Sequence, residues 1–293
     1  MQQLFRFAPS PNGRLHLGHA YSALCNERAA QACGGLLQLR IEDIDSTRCR
    51  REYEDAIVAD LVWLGVAFDG SVRRQSEHFA DYEAAFAEFE RRSLVYPCFC
   101  TRGQILLACD GKRDPDGAAL HRGRCRAVSL EETKARLAAG ESPAWRLDVS
   151  KAHKSVRRPL SWREFGEGTC ARDVDADASV WGDVVLRGKE RAATYHLAVV
   201  VDDALQGITD VVRGRDLFAA TAIHALLQAL LSLPSPRYHH HRLVLDAEGA
   251  KMSKSAGSRP LAAVREQGYT ADDLRAALGF GGVARRALGV TFS

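Results

Sequence analysis

The chain has 293 residues, 46% hydrophobic and 26% charged, which suits one large or two modest folded domains and excludes wholesale disorder. Forty Lys and Arg against 37 Asp and Glu leave a net charge of +3, which permits a nucleic-acid partner without demanding one. No apolar stretch reaches the ~18 residues of a membrane span, and the N-terminus has no basic segment leading into an apolar one, so a cytoplasmic setting with no membrane partner is expected.

In chain order, residues 4–8 predict a strand, followed by the breaker Pro9-Ser10-Pro11-Asn12-Gly13. Residues 16–33 predict a helix stopped by Gly34 and Gly35. Residues 36–41 predict a second strand, and 53–64 and 78–93 predict two more helices. Such alternation implies a parallel α/β sheet. Between 95 and 180 the texture changes: Cys, Gly, Asp and Arg accumulate and the alternation weakens, as in an inserted domain. Residues 195–201 form a continuous apolar run that predicts a buried parallel strand. Residues 217–231 predict a helix, 243–245 a short strand, and 259–293 one or two short helices. The expected division is 1–94 and 181–245 as two halves of one domain, 95–180 as the insertion, and 246–293 as a loop with a short helical tail.

The first chemical signal is His16-Leu17-Gly18-His19, where a strand and a Pro/Gly turn give way to a helix. Residues three apart share a helix face, and the N–H groups of a helix start favour anions. Gly18 removes a side chain between the two imidazoles, so a base or phosphate can approach the backbone. By itself the pair also suits two ordinary histidines on a half-buried helix. The second signal is Lys251-Met252-Ser253-Lys254-Ser255. Its ammonium and hydroxyl groups can stabilise charge growing on leaving pyrophosphate, although a solvated basic turn has the same composition. Residues 182–190 approach a P-loop but have one residue too many between the glycines and Glu190 where Ser or Thr should hold Mg²⁺.

Cys98-Phe99-Cys100 and His121-Arg122-Gly123-Arg124-Cys125 supply four donors whose short spacings suit tetrahedral Zn²⁺. Three buried thiols and a surface histidine are the alternative. Cys25, Cys33, Cys49, Cys109 and Cys170 lack partners at ligand spacing, and Cys25 and Cys33 are expected as core thiols. The basic runs 122–126 and 151–158 suit either RNA backbone or plain solvent.

Taken together and in this order, the two phosphate-type motifs resemble the HIGH and KMSKS motifs of class I aminoacyl-tRNA synthetases. The strings Arg6-Phe7-Ala8-Pro9-Ser10-Pro11-Asn12-Gly13, Arg40-Ile41-Glu42-Asp43-Ile44-Asp45, Tyr195-His196-Leu197-Ala198-Val199-Val200-Val201-Asp202-Asp203 and Val212-Arg213-Gly214-Arg215-Asp216-Leu217 resemble the glutamate branch of that class. The resemblance implies a Rossmann-like catalytic domain with an inserted zinc-bearing domain. It implies a ligase that activates L-glutamate with ATP and Mg²⁺. His16, His19 and Lys254 would be catalytic, and His16, Gly18, His19, Lys251, Ser253 and Lys254 would bind ATP. Arg6, Ala8, Ser10, Glu42, Tyr195 and Arg213 would form the glutamate pocket. A substrate with two carboxylates and one ammonium needs two cations and one anion, which Arg6, Arg213 and Glu42 supply.

The family's zinc site has C-x-C followed by Y-x₃-C, and His121 stands here at the Tyr position. The resemblance therefore implies one structural zinc on Cys98, Cys100, His121 and Cys125. Only 38 residues follow Ser255, so a short member without an anticodon-binding domain is expected, acting as a monomer. Its implied partner is tRNA(Asp) bearing queuosine, glutamylated on the modified base. Two alternatives are a catalytic half that charges the tRNA 3′ end, and a non-catalytic RNA-binding paralogue.

Overall fold

The computed structural model describes residues 2–166, 169–246, 249, 252, 259–281, 288 and 290–293. The first part runs β1 (Leu4–Phe7), α1 (Leu17–Cys33), β2 (Leu36–Ile41), α2 (Arg51–Leu64), β3 (Arg73–Arg74), α3 (Phe79–Arg91) and β4 (Val95–Cys98). Next come α4 (Arg102–Ala108), α5 (Leu130–Ala138), β5 (Ala144–Leu147), α6 (Val149–Ser155), β6 (Ser161–Gly166), β7 (Thr169–Asp175) and β8 (Val185–Arg187). The rest is α7 (Tyr195–Leu205), β9 (Asp210–Gly214), α8 (Ala220–Leu230), β10 (Arg237–His241), β11 (Val244–Leu245), α9 (Leu261–Glu266), α10 (Ala271–Ala277) and β12 (Thr291–Phe292).

A seven-stranded sheet in the order β3-β2-β1-β9-β10-β6-β7 carries the molecule. Its strands are parallel except for β7, which returns antiparallel to β6. Two apolar layers cover it. Phe5, Phe7, Leu37, Leu39 and Val212 pack with Leu24, Ile57, Leu61 and Leu274 on one face. Val211 and Tyr238 pack with Phe86, Val199 and Leu226 on the other. Adjacent Val211 and Val212 feed opposite layers, as the two-residue period of a strand requires. A second sheet, β4-β5-β8, is antiparallel and separate. Residues 161–175 thus pair with the large sheet and 185–187 with the small one, so the two sheets interleave in sequence. Among the described residues no helix is long and apolar enough to cross a membrane.

The early expectations of strands and helices match the elements closely. Gly34 stops α1 at φ 62°, a left-handed conformation in which a side chain would be strained. Residues 195–201 require a correction: they open the helix α7 instead of forming a strand. An apolar run buried all round has no period to separate the two forms. Here α7 is enclosed by α3 and α8, and that packing overrides the strand preference of Val199, Val200 and Val201. The three histidines 239–241 lie on β10 and precede the short strand β11.

Candidate active site and metal centre

Strand β1 continues toward β2 on one side and has β9 on the other, so the crevice at the carboxyl ends of β1 and β9 is where an open α/β sheet binds ligands. A cleft of about 820 Å³ opens there. Arg6, Ala8, Ser10, Glu42, Tyr195 and Arg213 all line it, and so do His16, Gly18 and His19. Residues from five separate stretches of sequence therefore meet in one place. Lys251, Ser253 and Lys254 lie outside the described residues; Met252 lines the cleft.

The histidines sit at the start of α1. His16 is the N-cap: its Nδ1 accepts from the Gly18 amide at 3.1 Å, while its own amide donates to His19 Nδ1 at 3.2 Å. The ring centroids are 3.8 Å apart. A Cβ on Gly18 would lie 3.0 Å from His16 Cε1, so a larger residue would push the imidazole aside. The helix start thus presents two oriented imidazoles beside its positive end.

The cations of the cleft are held in two ways. Arg6 donates to Asp203 at 3.0 Å, and wholly buried Arg40 donates to Asp203 at 2.7 Å and to Glu42 at 3.1 Å. Burial pushes the Asp203 carboxyl up, but Arg6 and Arg40 outweigh it and hold the group below the usual range. Glu42 ends raised, because burial there exceeds the pull of Arg40 and Arg6. Arg213 differs. It is 5% exposed and makes no ion pair with any described carboxylate. Its five N–H groups meet His240 Nε2 (3.2 Å), Tyr195 Oη (3.4 Å), His224 Nδ1 (3.1 Å), the Leu217 carbonyl (3.2 Å) and Thr221 Oγ1 (2.7 Å). A buried cation surrounded by neutral acceptors favours an anionic ligand strongly.

Away from the cleft, the donor atoms of Cys98, Cys100, His121 and Cys125 lie within 4.8 Å of one another. Cys100 and Cys125 sulfurs are 3.3 Å apart, Cys125 and Cys98 3.6 Å, and Cys98 Sγ is 3.5 Å from His121 Nε2. Tetrahedral zinc with Zn–S of about 2.3 Å needs sulfurs about 3.8 Å apart, so the set fits the ion. Burial raises both Cys98 and Cys125. The hydrogen bond to His121 and the nearby Arg146 outweigh it and bring Cys98 to about 6, whereas crowding by the other thiols carries Cys125 up to about 12. Nδ1 of His121 faces Tyr96 Oη at 3.2 Å, and that hydroxyl donates to buried Asp183 at 2.6 Å. The Gly123 amide also points at Nδ1, at 3.2 Å, so Tyr96 and Gly123 together orient the ring. Arg126, within a run with an RNA-facing option, is instead bidentate to Asp183 at 2.8 and 2.6 Å. Cys25 is buried, but Cys33 is exposed, contrary to its expected place in the core.

A family profile described as tRNA synthetases class I (E and Q), catalytic domain, matches residues 4–291. The chain belongs to that family. It is accordingly a ligase of the class I aminoacyl-tRNA synthetase type with a Rossmann-like α/β catalytic fold. A glutamyl-Q tRNA(Asp) synthetase of Rhodobacter capsulatus is 41% identical over 290 residues, spanning 94% of this chain and 99% of that protein. Another of the same name, from Leptothrix cholodnii, is 41% identical over 260 residues, 88% of this chain and 83% of that one. A crystal structure of a glutamate tRNA ligase from Elizabethkingia meningosepticum in complex with its amino acid superposes with a TM-score of 0.75 at 25% identity. It matches 95% of this chain, which spans 60% of that enzyme's length.

Several residues of this class I synthetase cleft escaped sequence reasoning. Asp203 lies within a string that carries the resemblance but has no role in that reading; it bridges Arg6 and Arg40 from α7. His224 sits inside the apolar run of α8, where nothing marks it as a partner of Arg213. His241 is the member of the 239–241 triplet that lines the cleft. Arg48, Arg50 and Tyr53 also line it, from the turn before α2 and the first turn of that helix. The two arginines are ordinary surface charges in sequence and were given no role.

Proposed function

We propose that the cleft joins L-glutamate to ATP as glutamyl-adenylate and then passes the glutamyl group to queuosine in the anticodon of tRNA(Asp). In the first step a glutamate carboxylate oxygen attacks the α-phosphorus, and the bond to pyrophosphate breaks. In the second, a hydroxyl of the queuosine cyclopentene ring attacks the acyl carbon, and AMP leaves. Arg213 and Arg6 take the two carboxylates, Glu42 the ammonium, and the Tyr195 hydroxyl orients the substrate against a wall that includes Ala8 and Ser10. His16, Gly18 and His19 receive the ATP phosphates and ribose, with Mg²⁺ on the nucleotide. Lys251, Ser253 and Lys254 complete that site. No covalent nucleophile is needed; positioning and neutralisation of phosphate charge carry the rate. Zinc, held by Cys98, Cys100, His121 and Cys125, has a structural role in which all four positions are filled by protein.

The observation that carries this reading is Arg213, a buried cation in a cleft beside Glu42 with no described carboxylate to balance it. The named relatives that span nearly the same length support the queuosine acceptor. Exchange of labelled pyrophosphate into ATP tests the first step. It is expected with L-glutamate and absent with L-glutamine or L-aspartate. Equal exchange with glutamine would overturn the pocket assignment.

A further inference from the structure

Arg213 is gripped by a network that extends well behind the cleft. A guanidinium has donors only, so each imidazole nitrogen facing it must present a lone pair. His224 Nδ1 is therefore the acceptor at 3.1 Å, which leaves the proton on Nε2. That proton points to His196 Nδ1, 3.2 Å away. On the other side Arg213 Nε donates to His240 Nε2 at 3.2 Å, so His240 carries its proton on Nδ1, facing Glu164 at 2.9 and 3.1 Å. The tautomers of three histidines follow from one arginine. The network draws on β9, α8, α7, β10 and β6, and His224 is 1% exposed.

We infer that His224, backed by His196, is a positioning residue for glutamate: it fixes the Arg213 guanidinium at the cleft wall through a neutral acceptor and so leaves the charge for a substrate carboxylate. The contrast with Arg6 and Arg40 makes the point. Those two are immobilised by Asp203, and part of their charge is neutralised in the same contact. Arg213 is held through five neutral acceptors and by no described carboxylate. Burial, then the Arg213 charge, holds His196 down to about 4 and His224 well below its ordinary value, so neither becomes a competing cation near neutral pH. The serial donation from Arg213 through His224 to His196 also polarises each bond in the chain.

The inference rests on the glutamate reading above, and the test separates the two. Glutamate-dependent pyrophosphate exchange is measured on the full chain carrying H224L, H224Q or H196L, with thermal unfolding as a control for folding. Gln can accept from Arg213 and donate to His196 as His224 does; Leu can do neither. H224L is expected to raise KM for glutamate about tenfold or more, with KM for ATP within about threefold of wild type. H224Q recovers most of that loss. H196L, which removes only the backing, shifts KM for glutamate in the same direction by less, and decides the matter should H224L not fold. The inference is overturned if KM for glutamate stays within about twofold in the folded Leu variants, if KM for ATP rises in parallel, or if H224Q is no better than H224L. A wild-type chain showing no glutamate-dependent exchange would instead overturn the functional reading itself.

Discussion

Two buried arginines that face the cleft, Arg6 and Arg213, differ in what holds them. Arg6 shares Asp203 with Arg40, whereas Arg213 has only neutral acceptors among the described residues. Replacing Arg213 should therefore remove the attraction for one substrate carboxylate outright. Arg213→Gln is expected to lower kcat/KM for glutamate by about 2–5 kcal/mol, roughly 30- to 5,000-fold, and Arg213→Glu to abolish exchange. Full activity in either variant would exclude the assignment. Glu42 sets a pH limit. Its carboxyl is raised by burial, so on acidification it loses its charge before an ordinary glutamate would. The substrate ammonium favours the charged form, so kcat/KM for glutamate should fall on the acid side through the raised value. Glu42→Gln should be weaker at every pH and should lack that limb. Arg6, Glu42, Tyr195 and Arg213, which line one cleft, were legible through the resemblance of the strings that carry them. Their individual supports were not: Asp203 stands 197 residues from Arg6, and a histidine within an apolar helix advertises no partner.

Element boundaries followed local chemistry wherever local chemistry decided them. Breakers around Pro9–Gly13 and the Gly34 stop framed β1 and α1, and α1 begins where His16 caps it. Helix α7 was misread because packing, not local preference, sets its form. The cysteine cluster lies between these extremes. Its members lie at or just after the end of β4 and in or just before the 3₁₀ turn around Cys125, so the spacing was readable but the contact of His121 with Tyr96 and through it Asp183 was not. Purified protein is expected to carry about one zinc per chain, and Cys98→Ser or Cys125→Ser to lose it with a lower unfolding temperature. Elemental analysis near zero on folded wild-type protein would remove the metal from the account. His121→Tyr restores the residue the family pattern carries at that position and should retain zinc, with His121→Leu losing it.

At the scale of the whole molecule, the order β3-β2-β1-β9-β10-β6-β7 explains why so many distant residues share one cleft. Chain segments cross over on opposite sides of β1, and every parallel strand ends toward the same rim. The alternating pattern of the first ninety residues made that sheet legible. The placing of β6 and β7 on it was not, because their partner β10 lies more than sixty residues away in sequence. The net charge of +3 now fits a few placed cations better than a broad basic surface. The acceptor is the part of the account that rests least on the cleft and most on relatives, so it is the part to measure. Total tRNA from strains with and without queuosine should be incubated with the protein, ATP and labelled L-glutamate. The account predicts label only on queuosine-containing tRNA, retained when the 3′-terminal adenosine has been removed beforehand. Equal labelling of both preparations, or labelling that requires the terminal adenosine, would contradict it.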